Sequence, residues 1–391
     1  MADPVICAVA RTPVGKFRGA LKNYSATELG TLAVAELLER AGIDASTGII
    51  DEVLFGQVLQ AGAGQAPARQ VAIGAGLPYS TPCTTINKVC GSSLKAVMIA
   101  ASAIRAGEYE VVIAGGMESM TNSPHFAQQT GRNEYGEMKS VLMHDGLWDG
   151  YNDQHMGNTG EKVACDFDIS REDSDNYSVR SHRLAHQSWE SGLFEWEAFP
   201  VQGVDRDGNS MMLVNDQGIR VSTSVSELGE LKPVFDDAGQ VTAGNASQIS
   251  DGASAVLVVS RDRAEAEGWG ILASIVDQTT SGLAPADVMA APIQAVRTLL
   301  ERNNLTIADI DVVEHNEAFA AASCAVAKEL GIPDEKFNLH GGAIAIGHPL
   351  GSTGTRCLMT LINALRTTGG SKGIVTICLG GGNAVAVLIS I

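Results

Sequence analysis

The chain carries an internal repeat, which constrains its fold more than any other feature of the sequence. A helical stretch ending in Leu37-Leu38-Glu39-Arg40 recurs as Leu299-Leu300-Glu301-Arg302, about 260 residues later. In both copies a polar turn, a short strand, a helix of small residues and a Gly-aliphatic-Pro stop follow in the same order. These paired segments are Asp51–Gly56 and Asp311–His315, Gln65–Ala75 and Ala318–Leu330, and Gly76–Pro78 and Gly331–Pro333. Five matching elements in one order predict two similar domains that mix strands and helices and pack together.

A second pair of segments extends the repeat. Cys90-Gly91-Ser92-Ser93 opens a helix with apolar residues at helical spacing, and its counterpart begins at Gly351-Ser352-Thr353. Each helix leads to an apolar strand that ends in glycines, Val111–Gly116 in one copy and Gly373–Gly382 in the other. The composition, 45% apolar with 43 glycines and only 5% aromatic residues, is typical of an α/β protein with buried strands.

The region between the two copies differs in composition. It is richer in Asp, Asn, His, Trp and Tyr, and one clear amphipathic helix is predicted at about Arg171–Ser191. We interpret residues 121–249 as an inserted loop domain that covers one side of the core and takes part in substrate recognition. The N-terminal half is then 1–120, continued at about 250–270, and the C-terminal half is 271–391.

Charge and cysteine content exclude several classes of function. The formal net charge is −18, which disfavours nucleic acid and anionic membranes as partners. The seven cysteines form no CxxC pair and no metal-ligand spacing, so we expect free thiols and no metal site. The N-terminus resembles neither a signal peptide nor an organelle presequence. The sequence also has no uninterrupted run of about 18 apolar residues, so we expect no membrane span. The expected location is the cytoplasm.

Cys90 is the first candidate for chemistry. It follows a β-prone run, Thr84–Val89, and precedes a helix, so it lies at a strand-to-helix elbow near the positive end of a helix dipole. That position is expected to lower the pKa of the thiol and to expose it, as a nucleophile requires. The alternative is a small buried core residue, and the elbow alone does not decide between the two.

Two glycine-rich stretches supply further candidates. In Gly341–Gly351 a single imidazole, His348, stands between Gly347 and Pro349 at the elbow equivalent to that of Cys90, where it could act as a base or merely support the loop. Cys378 is followed by Leu379 and three glycines at the end of what we predict to be the last buried strand. Their N–H groups could form an oxyanion hole, although a tight turn would have the same sequence. Asn316, at a strand end that opens a helix, is either an N-cap or a polar group of the site.

Taken together, these segments resemble the thiolase family, and the resemblance spans essentially the whole chain. The motifs that carry it, in family order, are Ala10–Gly15, Asn87–Cys90, Gly115–Met120, Gly244–Ser247, Asn316–Phe319, Gly347–Pro349 and Cys378–Gly382. The resemblance implies duplicated βαβαβαββ halves in a five-layer αβαβα core, with an inserted loop domain. It also implies a Claisen condensation of two acetyl-CoA to acetoacetyl-CoA and CoA, or the reverse thiolysis.

The resemblance further implies a role for each site residue. Cys90 would become acylated after His348 takes its proton, and Cys378 would remove a proton from the methyl group of a second acetyl-CoA. One oxyanion hole would pair His348 with a water held by Asn316, and the other would use the N–H groups of Cys90 and Gly380. The substrates would be CoA thioesters, with no separate cofactor, and the assembly would be a homotetramer built as a dimer of dimers.

Substrate contacts are expected mainly from the inserted domain. His155 and Met156 resemble residues that line and shorten the acyl pocket in the acetoacetyl-type subgroup, and Phe319 would close its acyl end. Positions that match pantetheine contacts are Leu147, Phe235, Ala243 and Ser247. Arg183 and Arg220 are candidates for contacts with the nucleotide phosphates.

The chain departs from the family pattern in places, and other functions compete. Ser93 stands where the family usually has Gly, Gly382-Asn383-Ala384 replaces a common Gly-Gln-Gly, and Trp148 adds bulk near the acyl pocket. The nearest alternative is a degradative thiolase of fatty-acid β-oxidation acting on longer 3-ketoacyl-CoA. A condensing enzyme that uses an acyl-carrier protein would be expected to have two histidines, where this chain has Cys378. A catalytically silent binding protein would lack one of Cys90, Asn316, His348 and Cys378, and all four are present.

Overall fold

The strands of the chain follow the predicted repeat. The computed structural model describes residues 2–391. Within that range the strands are β1 (Pro4–Arg11), β2 (Gly15–Lys16), β3 (Glu52–Gly56), β4 (Cys83–Ile86), β5 (Val111–Ser119), β6 (His125–Phe126), β7 (Gln129–Gly131), β8 (Glu134–Tyr135), β9 (Lys139–Ser140), β10 (Trp148–Asp149), β11 (Gln154–His155), β12 (Val201–Val204), β13 (Ser210–Leu213), β14 (Ser250–Ser260), β15 (Ala273–Gly282), β16 (Val312–His315), β17 (Lys372–Leu379) and β18 (Asn383–Ser390).

The helices begin and end close to the boundaries that the sequence predicts. They are α1 (Ala26–Ala41), α2 (Pro67–Gly74), α3 (Ser92–Ala106), α4 (Met156–Asp166), α5 (Arg171–Glu190), α6 (Val225–Gly229), α7 (Arg261–Glu267), α8 (Ala291–Arg302), α9 (Ala320–Leu330) and α10 (Thr353–Thr368). Local chemistry sets several ends: Ser25 and Glu28 form a capping box before α1, and Gly42 ends that helix in the left-handed conformation.

The two halves have the same strand order, which confirms the duplication. The N-terminal half is ordered β1-β14-β5-β3-β4 and the C-terminal half β15-β18-β17-β16. Because β14 follows the insertion and lies between β1 and β5, the N-terminal sheet is completed only after residue 249. The counterpart of β4 in the second half is reduced to a single bridge between Val313 and Phe337. Two residue pairs between β1 and β15 join the halves into one continuous sheet.

The layers stack as the family resemblance implies. Helices α3 and α10 pack against each other between the two sets of strands, in a core that includes Leu94, Val97, Leu358 and Leu361. Helices α1 and α2 cover the outer face of the first set, and α8 and α9 cover that of the second. The result is the αβαβα arrangement, with the starts of α3 and α10 side by side at its centre.

Helix α3 is apolar because it is buried in this central layer. The window Val89–Ala106 has the length and composition of a membrane span, with a mean hydropathy of 1.3, yet 61% of it is buried inside the protein. A helix covered by protein on most sides needs apolar residues around its circumference.

Two local predictions are wrong. The apolar strand predicted to run to Gly382 ends at Leu379, and the glycines form a turn into β18, so Cys378 lies on the penultimate strand. The insertion holds a second substantial helix, α4, besides the predicted α5. Gly157 and Gly160 in the first turns of α4 lower its helix propensity, so the sequence pattern there does not predict a helix. The side chain of His155 caps its start by accepting a hydrogen bond from the N–H of Gly157.

Candidate active site

The elbow that carries Cys90 has a strained backbone. Val89, directly before the cysteine, has a φ of 47°, which is rare for a β-branched residue. The N–H of Val89 donates to Oδ1 of Asn87 at 3.0 Å, and the hydroxyl of Ser92 donates to the carbonyl of Val89 at 2.6 Å. These bonds hold the turn between β4 and α3, and Cys90 projects from it two residues before the helix begins.

Gly91 lets this elbow approach the second half of the chain. A Cβ on Gly91 would lie 2.5 Å from the side chain of Leu379 and 2.9 Å from that of Val385. The close approach brings the N–H of Gly380 to the sulfur of Cys90, and the N–H of Cys90 itself also faces that sulfur. These are the two N–H groups that the resemblance assigns to an oxyanion hole, and the structure places them together.

The elbow of His348 is built in an equivalent way before α10. Gly347 has a φ of 115°, and a Cβ there would lie 2.3 Å from Oγ of Ser250. The N–H of His348 donates to the carbonyl of Gln248 at 3.0 Å. This backbone bond and the turn fix where the imidazole points.

Thr353 determines the tautomer of His348. Its hydroxyl lies 2.7 Å from Nδ1 of the imidazole and donates to the carbonyl of Pro349 at 2.9 Å. Because the single hydroxyl proton is used on Pro349, Nδ1 must carry a proton and donate it to Thr353. Nε2 is then unprotonated, as a general base requires.

Asn316 lies beside that basic nitrogen. Its Nδ2 is 3.4 Å from Nε2 of His348, and the residue is fully buried. Oδ1 of Asn316 has no hydrogen-bond partner among residues 2–391. The residue does not cap α9, because that helix has Phe319 at its N-cap.

Cys90, His348, Cys378 and Gly380 line one cavity of about 210 Å³. Its wall is largely apolar. The lining residues are Val89, Cys90, Asp145, Gly146, Leu147, Trp148, Asp149, Gly150, Tyr151, Met156, Ser247, Val288, Met289, Ala318, Phe319, His348, Leu350, Cys378, Leu379, Gly380 and Gly381. Two thiols and one imidazole in one small cavity can support both nucleophilic attack and proton abstraction.

Burial sets the protonation states of these groups. Burial raises the pKa of Cys90 to about 12, although the N–H groups of Cys90 and Gly380 act in the opposite direction. Burial also raises the pKa of Cys378, to a higher value than that of Cys90, and the neighbouring Cys90 adds to this shift. Burial lowers the pKa of His348 to about 3, assisted by the charge of Arg356. The expected lowering of the Cys90 pKa is therefore wrong, because burial outweighs the lowering by the N–H groups of Cys90 and Gly380. The resting site holds neutral thiols and a neutral imidazole.

The predicted substrate-binding residues fall into two groups. Leu147, Met156, Ser247 and Phe319 line the cavity. His155, Phe235, Ala243, Arg183 and Arg220 do not. The ring of His155 stacks on that of Phe235 at 4.5 Å between centroids, and Phe235 presses against Gly157, so this pair supports the start of α4 behind Met156.

The basic residues lie outside the catalytic cavity. Arg183 is exposed on α5, with its guanidinium 3.5 Å from Oε1 of Gln187. The side chain of Arg220 is also exposed, while its backbone N–H donates to Nδ1 of His182 at 3.1 Å. A contact of either guanidinium with a nucleotide stays a prediction. Trp148, which is bulkier than the family pattern near the acyl pocket, lies on the cavity wall. Its Nε1 donates a hydrogen bond to Oδ1 of Asp153 at 3.0 Å.

Sequence reasoning missed several residues of the site. The sequence places Thr353 at a helix start and gives it no further role, although its position five residues after His348 is a usable signal. Met289 lies 3.8 Å from Cys378, sulfur to sulfur, and comes from a short helical turn without a motif. Tyr151 lines the cavity beside Gly381. Glu118 belongs to a motif that the sequence identified without assigning it a role.

Comparisons with known proteins agree along the entire chain. The family model for the thiolase N-terminal domain matches residues 4–262, and that for the thiolase C-terminal domain matches residues 269–391. An acetyl-CoA acetyltransferase of Pseudomonas aeruginosa is 44% identical over 100% of both chains. An acetyl-CoA acetyltransferase of Cupriavidus necator is 44% identical over 100% of this chain and 99% of its own.

A solved structure has the same fold. The Acat5 thiolase from Ascaris suum in complex with coenzyme A superimposes with a TM-score of 0.92, at 36% identity and with 99% of each chain covered. Two domain models that together span nearly every residue, relatives above 40% identity and a superimposable thiolase lead to one conclusion: the chain belongs to the thiolase family.

Proposed function

We propose that this thiolase is an acetyl-CoA C-acetyltransferase, which condenses two acetyl-CoA to acetoacetyl-CoA and CoA and catalyses the reverse thiolysis. The observation that carries the proposal is the meeting of Cys90, His348 and Cys378 on one cavity. A single thiol with a base would suffice for acyl transfer alone. The second thiol supplies the base that carbon–carbon bond formation needs.

In the first half-reaction the thiol of Cys90 loses its proton to Nε2 of His348 and attacks the thioester carbonyl. The sulfur–carbon bond of acetyl-enzyme forms as the sulfur–carbon bond to CoA breaks. The departing CoA thiolate takes the proton of Cys378, so Cys378 becomes a thiolate and His348 keeps the Cys90 proton on Nε2. The N–H groups of Cys90 and Gly380 stabilise the oxyanion of the tetrahedral intermediate. The neutral pair in the resting site means that proton transfer accompanies attack.

In the second half-reaction the Cys378 thiolate removes a proton from the methyl group of another acetyl-CoA. The α-carbon of a thioester is a weak acid, so the enolate needs donors at its oxygen. Nδ2 of Asn316 and Nε2 of His348, which carries the Cys90 proton after acylation, lie 3.4 Å apart and can both donate to it. The carbanion attacks the acetyl group on Cys90, a carbon–carbon bond forms, and the bond to the Cys90 sulfur breaks. His348 returns its proton to the Cys90 thiolate, and Cys378 keeps the methyl proton in place of the one it gave to CoA, so no oxidant or cofactor enters the balance.

The size of the cavity favours short acyl groups. The catalytic cavity has a volume of about 210 Å³. The side chains of Phe319, Met289 and Met156 occupy its apolar wall. This fits an acetyl or acetoacetyl group better than the tail of a longer 3-ketoacyl-CoA, and it agrees with the acetyltransferase names of the relatives.

Steady-state turnover of acetoacetyl-CoA and of a ten-carbon 3-ketoacyl-CoA, each with CoA, tests the proposal. We expect kcat/KM to be at least about tenfold higher for acetoacetyl-CoA, equal to ~1.4 kcal/mol of transition-state discrimination. Acetyl-CoA alone should also give acetoacetyl-CoA and free CoA in equal amounts. Preference for the ten-carbon substrate would instead identify a degradative thiolase.

We further propose that the active assembly is a homotetramer. Two large side chains are exposed in the part of the insertion around β7 and β8: Tyr135 is 67% exposed and Met138 is 63% exposed. Such exposure is unusual for apolar side chains of this size. Their burial between subunits would explain that exposure. Sedimentation of the wild-type chain and of Y135E/M138E tests this, since the double variant should shift to a smaller species.

A further inference from the structure

Glu118 is a fully buried carboxylate between the two elbows. It lies on β5, directly behind the turns that precede Cys90 and follow His348. Its Oε2 accepts hydrogen bonds from the N–H groups of Val58 at 3.0 Å and Gly351 at 2.9 Å, and its Oε1 accepts from Leu59 at 3.1 Å. Val58 and Leu59 belong to the first half of the chain and Gly351 to the second.

On the first side, the carboxylate supports the loop behind Cys90. The carbonyl of Val58 accepts a hydrogen bond from Nδ2 of Asn87 at 3.3 Å, and Oδ1 of Asn87 accepts from the N–H of Val89 at 3.0 Å. Val89 is the strained residue before the nucleophile. The contacts therefore run from Glu118 through Val58 and Asn87 to the backbone that holds Cys90.

On the second side, the carboxylate supports the turn that follows His348. Gly351 lies between His348 and Thr353, the residue that fixes the imidazole tautomer. The fit is close, because a Cβ on Gly116 would lie 1.9 Å from the carbonyl oxygen of Gly351. β5 and the turn after His348 are therefore in direct backbone contact beside Glu118.

The hydrogen bonds favour the ionised form of Glu118, because both carboxylate oxygens accept hydrogen bonds from backbone N–H groups. A protonated carboxyl group would need an acceptor for its own proton, and within residues 2–391 neither oxygen is hydrogen-bonded to one. The ionisable neighbours are Asp251, across the strand pair on β14, and Cys90. The negative charge of Glu118 raises the pKa of the Cys90 thiol. Burial and Asp251 in turn raise the pKa of Glu118 to about 7.

We infer that Glu118 is a positioning residue, which ties the elbow of Cys90 to the elbow of His348 and so sets the geometry for proton transfer between them. The inference rests on the proposed function, because it concerns the acylation step. The carboxylate of Glu118 affects the thiol of Cys90 in two opposite ways. The three hydrogen bonds promote transfer of the thiol proton to His348, while the negative charge by itself makes the thiolate harder to form.

The test compares Glu118→Gln with the wild-type enzyme in two reactions of Cys90. Acetylation by acetyl-CoA, measured by rapid quench and mass spectrometry, depends on His348. Alkylation by iodoacetamide between pH 7 and 9 depends only on the thiolate. We expect Glu118→Gln to slow acetylation by at least about tenfold. It should speed alkylation by less than about twofold at pH 7, where the carboxyl is half protonated, and several-fold at pH 9, where the repelling charge is fully present in the wild-type enzyme.

A matched control is Asp251→Asn, which alters a buried carboxylate on the neighbouring strand that bonds to Thr121 and to neither elbow. It should leave acetylation within about twofold of the wild-type rate. Acetylation and alkylation that fall together in Glu118→Gln, or that both stay unchanged, would overturn the inference. Absence of acetylation in the wild-type enzyme would instead refute the proposed function, so the two failures are distinguishable.

Discussion

Oγ1 of Thr353 lies 2.7 Å from Nδ1 of His348, and this hydroxyl gives its own proton to the carbonyl of Pro349. The contact forces the imidazole to carry its proton on Nδ1 and leaves Nε2 as the base. Thr353 is fully buried in the first turn of α10, so solvent cannot replace it. A residue outside the recognised motif thus prepares the base for acylation.

Replacement of Thr353 by Val is expected to slow acetylation of Cys90. The buried Nδ1–H loses its acceptor, so the imidazole can adopt the tautomer in which Nε2 is protonated and unable to act as a base. The loss should be at least about tenfold, and no larger than the ~10²–10⁴-fold that a positioned general base contributes. Rapid-quench acetylation measures it, and Thr353→Ser, which keeps the hydroxyl, is the control. Equal rates in the two variants would contradict the assignment of the tautomer.

Alkylation of Cys90 should depend on pH as that of a thiol with a high pKa. Burial raises the pKa of Cys90 to about 12, so the thiolate fraction should grow about tenfold per pH unit from pH 6 to 9. Iodoacetamide labelling followed by peptide mass spectrometry gives the rate at each pH, with Cys90→Ala as the control for other thiols. A rate that levels off below pH 8 would show a preformed thiolate and would restore the helix-dipole expectation.

Met289 is expected to limit the length of the acyl chain. Its buried side chain belongs both to the catalytic cavity and to a second pocket of about 210 Å³ lined by Val163, Phe167, Leu283, Ala286 and Ala290. Met289→Ala should connect the two spaces, at a cost of about 2–5 kcal/mol in the free energy of unfolding. We expect the ratio of kcat/KM for a ten-carbon to a four-carbon 3-ketoacyl-CoA to rise at least about tenfold.

The control for Met289 fills the second pocket. In Met289→Ala/Ala286→Phe an aromatic ring should occupy the newly connected space, and the gain on the ten-carbon substrate should disappear. If the double variant keeps the gain, the longer chain enters by another route.

Much of the fold could be predicted because its determinants are local or repeated. The paired elements around Arg40 and Arg302 gave nearly correct boundaries for α1, α8, β3 and β16. The absence of a fifth strand at the edge of the second half could not be predicted. The segment that corresponds to β4 contributes a single bridge, between Phe337 and Val313, and the sequence does not show this loss of pairing.

The site was predictable in its motifs but not in its environment. Cys90, His348, Cys378 and Gly380 meet at one cavity as expected. The pKa of Cys90 was predicted in the wrong direction, because burial depends on side chains such as Leu379 and Leu350 that come from distant segments. The role of Met289 could not be predicted either, because Met289 is 89 residues from Cys378 in sequence and comes next to it only in the folded chain.

The division of labour between the two thiols is the central claim, and acetyl transfer in two variants tests it most directly. Each variant is incubated with labelled acetyl-CoA, and protein-bound acetyl and acetoacetyl-CoA are both quantified. Cys378→Ala should acquire about one acetyl group on Cys90 and form no acetoacetyl-CoA, while Cys90→Ala should show neither. Normal condensation by Cys378→Ala, or an acetyl-enzyme in Cys90→Ala, would contradict the account.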